Sequence, residues 1–108
     1  MIGLTAPSAR LNQEIPNMVA AVVLIRSVPG DVPALARRIA GIDGVAEVYS
    51  VSGEYDLIAI VRVPEYERIA TIVTEEIAQV NGIERTNTLT AFRVYSKQDL
   101  ERAWDMFD

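Results

Sequence analysis

Val45 to Val63, VAEVYSVSGEYDLIAIVRV, is the stretch whose reading decides the fold of this 108-residue chain. Val45, Glu47, Tyr49 and Val51 alternate with Ala46, Val48 and Ser50, and β-branched and aromatic residues dominate, so the first half reads as a strand. Ser52-Gly53-Glu54 then supplies the reversal, because Gly53 tolerates positive φ in a short connection. The second half, Leu57 to Val63, is almost wholly apolar and predicts a strand covered on both faces. At the seam, Gly53-Glu54-Tyr55-Asp56 sets a carboxylate beside a glycine at the mouth of a strand. Loop residues held by a rigid scaffold often carry function, so this is the candidate site.

Outward from that hairpin, two helix patterns and two further strands appear. Val19 to Ser27, VAAVVLIRS, is apolar at odd and even positions through Ile25, which predicts a second central strand. Val28-Pro29-Gly30 breaks it. Asp31 is placed to N-cap a helix with Pro33 in its first turn, where a missing amide is harmless. Val32, Leu35, Ala36 and Ile39 form its apolar stripe, and Gly41 or Gly44 ends it. Pro64-Glu65 opens a second helix with stripe Ile69, Ile72, Val73, Ile77 and Val80, closed by Asn81-Gly82. Its glutamates 65, 67, 75 and 76 read as a solvated face. Ile83 to Tyr95 predicts the last strand, with Thr86, Thr88 and Thr90 on one face with Phe92 and Val94. Ser96 and Asp99 resemble a capping box before Leu100, Ala103, Trp104 and Phe107, an apolar helical stripe holding the one tryptophan. Residues 1–17 show no sustained period and read as a loose extension. The expected division is extension 1–17, domain 18–95 and amphipathic helix 96–108.

The order β-α-β-β-α-β predicts an α+β, ferredoxin-like split-βαβ sandwich with an added C-terminal helix. The two doubly apolar strands should lie centrally and adjacent, and the right-handed crossover rule is read as making them parallel. Two helices cover one sheet face, so the other should expose Ala20, Val22, Leu24, Ile58 and Ile60, or their neighbours of opposite parity. Such a patch predicts a two-fold homo-oligomer, unless the Trp104 helix folds back over it.

Composition narrows the chemistry. The chain has no cysteine, hence no disulfide framework, thiolate nucleophile or zinc-finger pattern. It has no histidine, which removes the usual general base and the commonest transition-metal ligand. A net charge of −5 argues against a nucleic-acid surface, and Arg37-Arg38 is a lone basic pair within a helix. No apolar run approaches the roughly 20 residues of a membrane span, and no secretory signal is visible, so a cytoplasmic protein is expected. No cofactor, metal or membrane partner is implied.

The run Met18 to Tyr95 resembles the ligand-binding (RAM) domain of the Lrp/AsnC, or feast/famine, transcriptional regulators. The carrying stretches are MVAAVVLIRSVPGD, GIDGVAEVYSVSGEYDLIAIVRV and VNGIERTNTLTAF. The resemblance implies a ferredoxin-like domain that dimerises through its sheets, with dimers joining into octameric or similar rings. It further implies that free amino acids bind where the turn before the third strand meets a neighbouring subunit. By motif, Gly53, Tyr55 and Asp56 would form that pocket, with Glu54 beside them and Thr86 and Thr88 as partners. Asp56 would pair with the ligand ammonium, while threonine hydroxyls and amides around Gly53 take the carboxylate. The family's regulators carry an N-terminal helix-turn-helix, which 17 residues cannot hold. The expectation is a stand-alone sensing module without direct DNA binding, acting on a transcriptional regulator or metabolic enzyme.

Plainer readings stand beside these. Asp56 can equally cap its own turn, and Tyr55 can pack at an interface. The threonines are ordinary strand formers, and Trp104 reads as a core or interface anchor. Glu47 and Glu54 could tune selectivity for cationic ligands. Two function classes follow: a non-enzymatic amino-acid sensor that works through assembly, or a small dimeric α+β-barrel enzyme of monooxygenase or isomerase type. An ACT-like regulatory domain would act much as the first. No catalytic group is nominated.

Overall fold

A computed structural model describes residues 18–97. Four strands, β1 (Val19–Ser27), β2 (Val45–Ser50), β3 (Leu57–Val63) and β4 (Ile83–Thr90), form one sheet in the order β2-β3-β1-β4. Helix α1 (Val32–Ala40) joins β1 to β2, and helix α2 (residues 66–79) joins β3 to β4. This is the expected ferredoxin-like α+β sandwich, with β1 and β3 central and adjacent.

Their direction corrects the sequence reading. β1 pairs with β3 antiparallel, from Val19 opposite Val63 to Ile25 opposite Leu57. The crossover rule applies to β1 and β2, which α1 connects and which run parallel with β3 inserted between them. β3 follows β2 through a tight hairpin, so it opposes both. The whole sheet is antiparallel.

Parity sorts the core. Ala21, Val23 and Ile25 of β1 and Leu57, Ala59, Val61 and Val63 of β3 are buried beneath the helices. Leu35 and Ile39 of α1 and Ile69, Ile72 and Ile77 of α2 pack down on them. The alternate residues Ala20, Val22, Leu24, Ile58 and Ile60 point to the opposite face and are only half-buried. In β2 the simple alternation fails. The register shifts between Val45 and Glu47, so Ala46 bulges. Val45 and Val48 therefore both pack against the core, while Glu47 and Tyr49 oppose Ile60 and Ile58 on the open face.

The helices begin and end for local reasons. Asp31 Oδ1 accepts from the Ala34 N–H at 3.1 Å, capping α1. At the far end the Gly41 N–H reaches the Arg37 and Arg38 carbonyls. Helix α2 is α-helical over Tyr66–Thr71, π-helical over Ile72–Glu76 and 3-10 over Ile77–Gln79. Across the widened turns Arg68 pairs with Glu76 and donates to the Asp43 carbonyl at 3.2 Å. Glu76 is thus a structural partner as well as part of a solvated face.

The last strand is shorter than expected. β4 stops at Thr90, and the Ala91 N–H to Ala20 carbonyl bond at 2.9 Å is the next contact with β1. Beyond it β1 has almost run out, so Phe92 and Val94 have no strand to pair with. The expected extension 1–17 lies outside the described residues, as does the Trp104 helix beyond residue 97.

Candidate functional site

The Gly53 turn connects β2 to β3, and its second half, Glu54, Tyr55 and Asp56, is tied to the C-terminal end of β1 or the start of β4. The Val51 N–H donates to the Asp56 carbonyl at 3.0 Å, closing the loop. Gly53 takes φ +118°, and a Cβ there would meet no atom within 4 Å. The glycine is required by backbone conformation and not by crowding. The Asp56 N–H then donates to the Ile25 carbonyl at 2.9 Å, stitching the turn to β1.

Asp56 itself caps the end of β1. Its Oδ2 accepts from the Ser27 N–H at 2.8 Å and the Ser27 hydroxyl at 3.1 Å. The backbone bond, then the hydroxyl bond, holds the Asp56 carboxyl below its ordinary pKa, with Arg26 adding to the effect. Asp56 is therefore a fixed anion at neutral pH. Both bonds fall on Oδ2, and Oδ1 makes no hydrogen bond among the described residues.

Two arginines frame the turn. Arg26 Nη1 donates to the Glu54 carbonyl at 2.8 Å, and its Nε lies 3.4 Å from Glu84. Arg85, directly opposite Arg26 across the β1–β4 ladder, reaches Glu54 Oε2 at 3.3 Å. Its guanidinium also sits 5.7 Å from the Tyr55 ring centroid, within cation–π range. These pairs are solvent-exposed, so they orient the turn more than they stabilise it.

The predicted residues thus divide. Gly53, Glu54, Tyr55 and Asp56 form one braced turn. Thr86 and Thr88 lie on β4 opposite Ile25 and Val23, hence on the helix-covered side of the sheet's outer edge. β1 separates them from the turn, a distance of about 10 Å at two strand spacings. Thr86 shares a row with Ile25, the residue that accepts from Asp56. Among the described residues no hydrogen bond joins either threonine to the turn.

Sequence reading missed Ser27, Arg26 and Arg85. A parallel β1–β3 pair sets Ser27 beside Val63, at the wrong end of the sheet. The antiparallel register brings it to Asp56, so strand direction was the signal that could have found it. The larger concavity, about 620 Å³ near Asp43, Arg62, Pro64 and Arg68, opens at that other end and shares no residue with the turn. A smaller one of about 100 Å³ lies between Ser27, Asp31, Arg38 and Gly82, on the helix side of the same strand end.

With this geometry in hand, comparison with known proteins places the chain. Residues 20–100 match the profile of the Lrp/AsnC ligand binding domain, and the chain belongs to that family. It is 31% identical over 86 residues to the HTH-type transcriptional regulator LysM of Saccharolobus solfataricus, covering 79% of this chain and 60% of LysM. It is 40% identical over 58 residues to the uncharacterized HTH-type transcriptional regulator PH1916 of Pyrococcus horikoshii, covering 54% of this chain and 39% of that one. The match therefore spans less than two thirds of either regulator. Among solved structures, TTHA0845 of Thermus thermophilus is 48% identical with TM-score 0.69, covering 73% of this chain and 99% of its own. Two more distant structures share the fold alone. One is E. coli AsnC, at 19% identity, TM-score 0.67 and coverage of 79% and 57%. The other is regulator NMB0573 of Neisseria meningitidis in complex with L-Met, at 9% identity, TM-score 0.66 and coverage of 80% and 56%.

Proposed function

We propose that the chain is a non-enzymatic sensor of free amino acids that works in transcriptional regulation by changing its assembly. Membership of the Lrp/AsnC ligand-binding family carries this reading, and its relatives include named transcriptional regulators. The L-Met complex of NMB0573 makes an amino acid the natural effector class to test. The Asp56 turn adds the chemistry. A carboxylate that is ionised at neutral pH, with one oxygen held by Ser27, presents the other to an ammonium group. Gly53 keeps the turn backbone open to a ligand carboxylate, with Thr86 and Thr88 as hydroxyl donors from the edge strand. Because β1 stands between turn and threonines, a ligand touching both needs walls from a neighbouring subunit. The assembly in this reading is a sheet-to-sheet dimer, with dimers joined in a ring whose contacts hold the effector.

Thermal unfolding against the twenty amino acids at millimolar concentration tests the reading, with light scattering on every hit. A ligand at 100 times its dissociation constant adds about 2.7 kcal/mol, several degrees for a domain of this size. A selective rise with a change in scattering is expected. No rise for any amino acid overturns the sensor role.

A further inference from the structure

We infer that residues 91–97 form an arm that clasps the open sheet face of a second copy of this chain. The inference rests on the self-association in the proposed reading and names a part of the interface outside the sheet. Three observations carry it. The first is the face itself, where Val22, Leu24, Ile58 and Ile60 are only half-buried and Leu89 is 51% exposed. The second is the arm. Phe92, Val94 and Tyr95 are 90%, 69% and 81% exposed, so none of them rests on its own sheet. Two aromatics and a valine facing solvent within four residues mark surface meant for a partner.

The third observation is area. The open face spans seven paired rows, Val19–Val63 to Ile25–Leu57, across four strands. At about 3.4 Å per row and 4.8 Å per strand this projects to roughly 450 Å². A standard interface takes roughly 800 Å² from each partner. Side-chain relief raises the accessible area of the face above this projection, so the face supplies a large part of that requirement. Phe92 and Tyr95 can each add about 150–250 Å² of buried surface to it.

The arm is also aimed by its root. The Ala91 N–H is held by the Ala20 carbonyl at 2.9 Å, and Tyr66 donates to the Ala91 carbonyl at 3.2 Å. These bonds fix the exit at the Ala20 end of the open face, after which the chain bends at Phe92. In a two-fold dimer each arm then reaches the partner's face from its edge, and the exchange is reciprocal.

Sedimentation equilibrium on the full chain, compared with the Phe92→Ser/Tyr95→Ser double variant, tests this. The variant's dimer dissociation constant should rise at least 50-fold, with unchanged far-UV circular dichroism, and Phe92→Leu/Tyr95→Phe should restore association. An unchanged constant in a dimeric protein overturns the arm and leaves the sensor reading standing. A chain that stays monomeric at 100 times the usual working concentration overturns both. Because the chain lacks cysteine, direction can be read directly. An untagged Arg93→Cys chain mixed with a mass-tagged Leu24→Cys chain should give a tagged–untagged product with a short bismaleimide. No such product, or cross-linking only within a chain carrying both cysteines, overturns exchange between copies.

Discussion

Gly44 shows how a single residue sets the distance between layers. It takes φ +102°, and a Cβ there would lie 2.6 Å from Ile72 Cδ1 and 3.0 Å from Val63 Cγ1. Gly44→Ala must therefore strain its backbone and displace α2 from the sheet. An expected loss of about 2 kcal/mol is measurable by urea unfolding, with secondary structure retained. Asp56 gives a second, chemically distinct expectation. Asp56→Asn keeps an oxygen for the Ser27 bonds but removes the charge, so effector binding should disappear while the dimer persists. The pH dependence has a definite sign. The folded carboxyl is held below its ordinary 3.8, so the unfolded chain binds more protons in acid. Its contribution is complete above about pH 5, where the unfolded carboxyl is ionised too, and drains away as pH falls through the lowered value. Melting of wild type and Asp56→Asn should therefore converge below pH 4; a constant gap from pH 7 to 3 contradicts the Ser27 cap.

At the scale of elements, each helix depends on a different device. Helix α1 is nine residues long and leans on the Asp31 cap, since short helices gain little from propagation. Asp31→Ala should cost about 1 kcal/mol in thermal or chemical unfolding. Helix α2 changes its winding over the π segment, which keeps Ile69, Ile72 and Ile77 all buried despite the irregular spacing. Among the strands, the bulge at Ala46 turns Val45 and Val48 inward together and leaves Tyr49 outside. On that open side the Glu47 hydrogen bond, then its charge, raises the Tyr49 hydroxyl above its ordinary pKa of 10.0, and Glu47 also lies 3.6 Å from Arg62. This polar border flanks the apolar patch at the β2 side.

For the whole molecule, the open sheet face is the feature that a single chain leaves unfinished. Ile58 lies within it, between Leu24 and Tyr49. Ile58→Lys places a charge where a partner sheet would pack, and should weaken the dimer about 100-fold, or about 2.7 kcal/mol. Light scattering checks this, and circular dichroism should show an intact fold because the side chain is outside the core. Effector response should fail with the dimer if the ligand sits between subunits. Retained response in a monomer would instead place the whole site within one chain.

Residue patterning determined the strands, both helices and the core, because apolar periodicity records which face of each element avoids water. The turn at Gly53 was legible for the same local reason: a reversal needs positive φ, and glycine supplies it. The open face was legible too, since strands apolar on both sides exceed what two helices cover. Other features depend on partners distant in sequence. Strand direction decided whether Ser27 meets Asp56 or Val63, and no residue of β1 encodes that locally. The Ala46 bulge and the end of β4 at Thr90 follow from where the neighbouring strand offers hydrogen-bond partners. Arg26 and Arg85 became parts of the site only when the sheet brought β1 and β4 beside the turn. The sequence by itself determined which surfaces must be buried and where the chain turns. Tertiary structure alone decided which charges stand beside Asp56, because register and direction belong to the sheet and not to any one strand.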